Sequence, residues 1–185
     1  MGAAKTRLAR DIGPVHAQRL YRAMTAGVLR QVRDPRWDTV LYAASDPSDV
    51  PEWRGLPVRM QPGGGLSPRL ATVFAGERRP VIVIGTDCPV VRARDISGAL
   101  DALRHAPVVF GPASDGGFWL MGARAPLRRG LFDGVRWSSA HTLDDMRKRW
   151  GEVALLRELT DVDDAQGLAA WRADGNAAAR GRARP

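Results

Sequence analysis

The sequence predicts an α/β fold of three layers, in which helices cover both faces of a mostly parallel β-sheet. Residues 81–84 are four consecutive apolar and mostly β-branched residues, a run typical of a parallel strand buried on both faces. Strand-like and helix-like segments alternate along the chain, as they do where helical crossovers join parallel strands. With 185 residues, of which 44% are hydrophobic, the chain can bury roughly 70% of its unfolded surface. We therefore expect one domain, over residues 1–173.

The individual elements follow from local periodicity. Segment 14–32 carries apolar residues at the spacing of an amphipathic helix, beginning with Ala17 and Leu20. From Asp174 the chain is mostly Ala, Gly and Arg, which predicts a disordered basic tail over residues 174–185. Strands are predicted at residues 39–44, 58–61, 81–84, 108–110, 118–121 and 153–156, and further helices at 67–76, 95–103, 139–150 and 165–173.

The formal net charge of +8 is concentrated near the start of the chain, where seven basic residues and one acidic residue occur up to Arg33. Nucleic-acid binding is disfavoured, because basic and aromatic residues are not interleaved on any predicted surface and no nucleic-acid motif is present. A small phosphorylated substrate, or a genomic bias toward arginine, accounts for the basic excess at least as well.

Composition also excludes several classes of protein. No apolar run approaches the ~20 residues of a membrane span and no secretory signal is visible, so we expect a cytoplasmic protein without a membrane span. Cys88 is the only cysteine, and we interpret it as a small apolar residue packed in the core. The chain has no Gly-x-Ser-x-Gly motif, which disfavours a serine hydrolase.

Asp87 is the first candidate for chemistry, because it follows closely on the strand at 81–84. Ligands of open α/β sheets bind outside the carboxyl ends of the strands, so a metal or a polar substrate would meet this carboxylate. The same residue could instead cap the turn that follows.

Two further segments carry charged or flexible residues toward predicted strand or helix ends. Lys5 and Arg7 precede the first predicted helix, where cations and free N–H groups would bind phosphate, although a solvated basic turn is the alternative. Asp115 could bind a hydroxyl or a metal, and Gly116 and Gly117 would let the backbone approach a ligand closely. A hairpin turn explains the same Asp-Gly-Gly segment.

Asp161 and Asp163 occupy alternate positions of one segment, so in an extended conformation they share a face and could share a cation. Capping of the last helix is the alternative. Together with Asp87 and the basic residues, these acids would suit a diphosphate bridged by Mg²⁺ or Mn²⁺. Trp137 could line a sugar or base site, although tryptophan more commonly packs in a core.

Several segments occur in an order known from one protein family. They are Lys5-Thr6-Arg7-Leu8, Gln61 with Leu66 and Arg69, Gly85-Thr86-Asp87-Cys88-Pro89, Gly111-Pro112 with Asp115-Gly116-Gly117, Trp137-Ser138 and Asp161-Val162-Asp163. In this order, over residues 2–168, they resemble a poorly characterised family of GT-A-like proteins in the nucleotide-diphosphosugar transferase superfamily. Members are often labelled glycosyltransferases, including some linked to arsenosugar biosynthesis.

This resemblance implies a GT-A fold and a nucleotide-activated substrate that is bound through a divalent cation. Asp87 would be a metal ligand, and Lys5 and Arg7 would contact phosphate. Asp115, with Gly116 and Gly117, would lie near the sugar or acceptor. Arg69 and Trp137 lie in matching segments and are expected to bind substrate.

The chain departs from the family in three places. The family has a strand and a glycine-bearing loop before Lys-Thr-Arg, of which only Gly2 is present, so the resemblance implies a sheet that lacks its first strand. Gly65 and Ser67 stand where the family has an acid and a glycine. Gly167 stands where it has an acid after the Asp-Val-Asp motif.

The function predicted from these observations is a metal-dependent glycosyltransferase that uses a nucleotide-diphosphosugar donor. Asp87 and Asp115 are its predicted catalytic residues. A nucleotidyltransferase that releases pyrophosphate is one alternative, and a catalytically inactive module that binds a nucleotide or a partner protein is another.

Overall fold

The computed structural model describes residues 6–44, 50, 53 and 55–182, with the backbone alone for residues 174–182. None of the helices in these ranges is both long enough and apolar enough to cross a membrane. The helices are α1 (Thr6–Ile12), α2 (Pro14–Val32), α3 (Leu66–Ala75), α4 (Ala93–Ala102), α5 (Thr142–Arg147) and α6 (Ala165–Arg182), and the strands are β1 (Leu41–Ala43), β2 (Val58–Met60), β3 (Pro80–Ile84), β4 (Val108–Pro112), β5 (Phe118–Arg124) and β6 (Ala154–Leu155).

The strands of the described residues form two sheets. In the first, β1 and β2 pair in parallel, with Leu41 opposite Val58. The second has the order β3-β5-β4-β6, in which β5 is antiparallel to both neighbours and β6 is parallel to β4. Therefore β3, β4 and β6 run in one direction and β5 alone opposes them. The turn at residues 113–117 joins β4 to β5, so the hairpin interpretation of the Asp-Gly-Gly segment is correct for the backbone.

Helices cover both faces of the larger sheet, which confirms the three-layer α/β architecture. Successive side chains of β3 point to opposite faces. Ile82 and Ile84 pack against the cluster that holds residues of α2 and α4, such as Val28 and Ile96. Val81 and Val83 pack against the opposite cluster, which holds residues of α3 and α5. The predicted packing of Cys88 is also confirmed, since its side chain is fully buried in the first cluster.

The prediction that residues 81–84 are buried on both sides is wrong in one respect. These four residues are only partly buried, because β3 ends the described strand order and no described strand pairs with its second edge. An apolar run predicts that the faces of a strand are buried, but it does not show whether both edges of the strand are paired.

A third cluster joins the first and last helices to the segment that carries two of the candidate acids. Leu8 of α1, Met24 of α2 and Leu168 of α6 pack around Val162, which is fully buried. Asp11 of α1 accepts a hydrogen bond at 3.0 Å from the N–H of Ala165, the first residue of α6. The apolar contacts of Val162 therefore hold the Asp-Val-Asp segment against the helices.

Two helix boundaries differ from those predicted. Helix α5 begins at Thr142 rather than at residue 139, because Ser139 and Thr142 direct their hydroxyl groups to the carbonyl oxygen of Arg136 in the preceding turn. Helix α6 continues to Arg182, through most of the segment predicted as a disordered tail. Its many alanines have high helix propensity, which offsets the glycines. The domain boundary at residue 173 stays a prediction.

Candidate metal centre

Three carboxylates converge at the carboxyl end of β3. One oxygen from each of Asp87, Asp161 and Asp163 lies within 4.8 Å of the other two, and all three residues are partly buried. Asp87 follows β3, whereas Asp161 and Asp163 come from the segment between β6 and α6. The N–H of Val162 donates to the carbonyl oxygen of Asp87 at 2.9 Å, which joins the two segments. Carboxylates that are far apart in sequence therefore lie close together in the fold.

Two glycines allow this approach. A Cβ atom on Gly85 would lie 2.4 Å from Oδ1 of Asp87, so the carboxylate folds over a position that has no side chain. A Cβ atom on Gly167 would lie 2.5 Å from the carbonyl oxygen of Asp161. The family has an acid at the position of Gly167. In this backbone the side chain of such an acid would collide with the main chain of Asp161.

The surroundings of Asp161 disfavour its ionised form. Burial raises the pKa of Asp161 to about 6, and the negative charges of Asp163, Asp115 and Asp87 act in the same direction. Like charges that are held close together disfavour full ionisation. A divalent cation would relieve this repulsion, so the cluster suits a positively charged ligand.

Arg7 brings a positive charge to the edge of the cluster. Its Nη2 atom lies 3.0 Å from Oδ2 of Asp163, in an ion pair whose arginine is largely exposed. A guanidinium group in this place could turn toward the phosphate of a ligand, since arginine matches phosphate geometry well. The other predicted phosphate-binding residue, Lys5, lies outside the described residues.

Asp115 lies close enough to influence Asp161 but is more exposed. Its Oδ1 atom accepts a hydrogen bond at 2.8 Å from the N–H of Gly117. Gly116 has a φ of 86°, and a Cβ atom there would lie 2.4 Å from the carbonyl oxygen of Ala140. The close backbone approach at Gly116 is thus made to the segment before α5, and a role for these glycines in substrate binding stays a prediction.

The last two predicted substrate-binding residues, Trp137 and Arg69, differ in the contacts that they make. The Nε1 atom of Trp137 donates to Oγ of Ser67 at 2.7 Å, and its ring contacts Phe118 and Phe132, which are core contacts. Arg69 lines a large cleft between the two sheets, and its buried Nε atom has no hydrogen-bond partner among the described residues. Of these two residues, Arg69 is therefore the one with a donor available for a ligand.

Sequence reasoning missed the residues that hold the centre together. Asp11 fixes the start of α6, but it lies in a short helix that local patterns did not predict. Nothing around it in the sequence indicates a partner 154 positions away. Gly167 stands out in the sequence only as a departure from a motif, and its contact with Asp161 exists only in the folded chain.

The residues present fit a Mg²⁺ or Mn²⁺ ion. Both are hard cations that prefer oxygen ligands, and Mg²⁺ in particular is commonly held by one or two carboxylates together with substrate phosphates and water. Asp87, Asp161 and Asp163 provide such oxygens, and both burial and the neighbouring carboxylates raise the pKa of Asp161.

Solved structures with a similar fold include two of bacterial proteins. A protein of Desulfovibrio desulfuricans G20, provisionally named a nucleotide-diphospho-sugar transferase, matches with 29% identity and a TM-score of 0.78, over 92% of this chain and 80% of that chain. The homologue of Mycobacterium tuberculosis rv0371c from Mycobacterium sp. strain JC1 matches with 15% identity and a TM-score of 0.50, over 82% of each chain, which supports the fold alone. No curated protein matches the chain.

The sequence itself matches one family. The match covers residues 19–139, which include Asp87 and Asp115 but neither Arg7 nor the Asp161–Asp163 segment. The chain therefore belongs to the family described as "Uncharacterized protein conserved in bacteria (DUF2064)".

Proposed function

We propose that this protein is a metal-dependent glycosyltransferase that uses a nucleotide-diphosphosugar donor. The observation that carries the proposal is the convergence of Asp87, Asp161 and Asp163 at the carboxyl end of β3. Support also comes from the fold and 29% identity shared with the Desulfovibrio protein named above. In an α/β sheet this edge is where ligands are bound.

The roles of the residues follow from their charges and positions. Asp87, Asp161 and Asp163 would hold Mg²⁺ or Mn²⁺ against the donor diphosphate. A divalent cation held there would supply positive charge to the leaving diphosphate. Arg7 would contact a phosphate oxygen from the edge of the cluster, and Asp115 would position the sugar or the acceptor. The acceptor is left open.

The experiment is a calorimetric titration with UDP- and GDP-sugars, with and without Mn²⁺, followed by product analysis. We expect binding heat only with the metal present, and release of a nucleoside diphosphate on turnover. Asp87→Asn should lose the metal-dependent heat. Asp101→Asn is the matched control, since Asp101 is an exposed carboxylate on α4 and should leave binding unchanged.

Each other outcome contradicts a stated part of the proposal. Release of pyrophosphate would indicate a nucleotidyltransferase instead. Metal-dependent binding with no turnover for any acceptor tried would favour an inactive binding module. Binding that is unaffected by Mn²⁺, or by Asp87→Asn, would remove the metal centre from the proposal.

A further inference from the structure

Arg7 is placed beside Asp163 by the packing of the residues next to both. Leu8 and Val162 are fully buried in one apolar cluster. Arg7 directly precedes the first of these residues, and Asp163 directly follows the second. The hydrogen bond of Asp11 with the start of α6 attaches the other end of α1. The place of α1 therefore does not depend on the ion pair of Arg7.

That ion pair is weakly held. Within the part of the chain that the structure describes, one nitrogen of Arg7 lies 3.0 Å from Asp163, and the two side chains are 60% and 29% exposed. By contrast, Arg157 holds Asp95 through two nitrogens, and that carboxylate is only 8% exposed. Ion pairs between exposed side chains contribute little to stability. The guanidinium group of Arg7 can therefore leave Asp163 at small cost while α1 stays in place.

Arg7 and a cation at the candidate metal centre would draw on the same negative charge. Asp163 supplies one of the carboxylates of that centre, and Arg7 pairs with it. A fixed positive charge next to a metal centre lowers the affinity for a cation, because like charges repel. Without nucleotide, the centre should thus bind Mg²⁺ or Mn²⁺ more weakly than the carboxylates alone would.

A phosphate group beside the cation would change this balance. Arginine donates two parallel N–H bonds to a phosphate, which is a stronger pairing than a single contact with an exposed carboxylate. Once Arg7 has moved to the phosphate, its charge no longer opposes the cation through Asp163. Coupling between two ligands is reciprocal, so the cation would raise the affinity for the phosphate by the same factor.

We propose that Arg7 couples the binding of the cation to the binding of the diphosphate. In the free protein it pairs with Asp163 and weakens cation binding, and in the complex it moves to a phosphate oxygen. The centre then takes up the cation together with the nucleotide rather than alone. The second half of this proposal rests on the proposed function, because it requires a ligand that carries phosphate.

The first half is tested by titration calorimetry with Mn²⁺ alone. We expect Arg7→Gln to raise the affinity for Mn²⁺ roughly threefold at low ionic strength, and the gain to shrink in about 0.5 M salt. Arg7→Lys keeps the charge and should leave the affinity unchanged. Arg30→Gln is the matched control, since it removes the same charge from an exposed position on α2. No gain for Arg7→Gln, or an equal gain for Arg30→Gln, would overturn the competition for Asp163.

The second half is tested with UDP- and GDP-sugars at saturating Mn²⁺. We expect Arg7→Gln to weaken nucleotide binding about tenfold or more, because a hydrogen bond to a charged phosphate is lost. One substitution would then move the two affinities in opposite directions, which a general loss of structure does not do. Nucleotide binding as tight as in the unmodified chain would overturn the coupling and leave the proposed function standing. Nucleotide binding to none of the proteins would overturn the proposed function, and with it the coupling, but not the competition for Asp163.

Discussion

At the scale of single residues, Asp161 combines a candidate ligand role with a cost to the fold. Its pKa is raised to about 6, first by burial and then by the neighbouring carboxylates. An acid whose pKa is raised on folding favours the folded state less as the pH rises through that pKa. The metal-free protein should therefore become less stable as the pH rises from about 4 to about 6. These are the ordinary and the raised pKa values of Asp161.

Asp161→Asn should stabilise the metal-free protein at pH 7. The substitution removes a buried charge and its repulsion by the neighbouring carboxylates. After allowance for solvent screening, the gain is about 1 kcal/mol, or about 2–4 °C in Tm for a chain of this size. Thermal unfolding in EDTA at pH 7 and pH 4 measures it, and the gain should vanish at pH 4, where Asp161 is protonated. Asp101→Asn serves as the control. A lower Tm for Asp161→Asn at pH 7 would contradict the electrostatic account.

Gly85→Ala should weaken metal binding while the fold is kept. The new Cβ atom would lie 2.4 Å from Oδ1 of Asp87, and the cheapest response is rotation of that side chain away from the cluster. We expect a loss of about tenfold or more in Mn²⁺ affinity, since a displaced ligand costs at least about 1.4 kcal/mol. Titration calorimetry measures it. Gly98→Ala on α4, where a Cβ atom meets nothing within 4 Å, should bind Mn²⁺ normally.

At the scale of elements, one ion pair attaches α4 to the segment after β6. The Nε and Nη2 atoms of Arg157 each lie 2.9 Å from an oxygen of Asp95, which also accepts a hydrogen bond at 2.8 Å from the N–H of Arg92. Burial alone raises the pKa of Asp95, but the hydrogen bonds from Arg157 and Arg92 outweigh it and lower that pKa. The stabilisation is therefore present above the ordinary pKa of aspartate and is lost as the pH falls.

Asp95→Asn should lower the free energy of unfolding by about 2 kcal/mol at pH 7, because charge-assisted hydrogen bonds to a buried carboxylate are lost. The corresponding fall in Tm is about 4–8 °C. Thermal unfolding between pH 7 and pH 2 measures it, and the difference from the unmodified chain should shrink below about pH 4, where the ordinary carboxyl group protonates. A difference that stays constant with pH would show that packing, rather than charge, accounts for the loss.

Local sequence patterns predicted most elements, because the spacing of apolar residues reflects which face of a helix or strand is buried. They did not predict α1, which is short and contributes one fully buried side chain, Leu8. Strand direction was predicted only in part: the hairpin alternative at residues 113–117 implies that β5 is antiparallel to β4, but no local pattern indicated that β5 also pairs with β3. Of the candidate site, Asp87, Asp161 and Asp163 were expected from strand ends and alternation, and they converge in the fold, while their role in binding a metal stays a prediction. Gly85, Gly167 and Asp11 help to place these acids through contacts that exist only in the folded chain, so local patterns could not indicate them.

At the scale of the whole molecule, the likeness of fold extends over more of the chain than the family match does. The Desulfovibrio structure matches over 92% of the chain, whereas the family match ends at residue 139, before Asp161 and Asp163. The candidate centre thus combines Asp87 from inside the family match with two acids outside it. Only the folded structure brings these two parts of the chain together.

The gap between β1 and β3 also governs how the chain behaves when it is concentrated. Among the described strands, β1 and β3 each have one edge without a partner strand, and such edges can pair with strands from other copies, which is the usual route to edge-to-edge aggregation. Asp38 and Arg79 place charges at one end of the gap, and these charges disfavour pairing with another strand there. Warming or crowding the sample should therefore promote precipitation, and dilution should preserve single molecules.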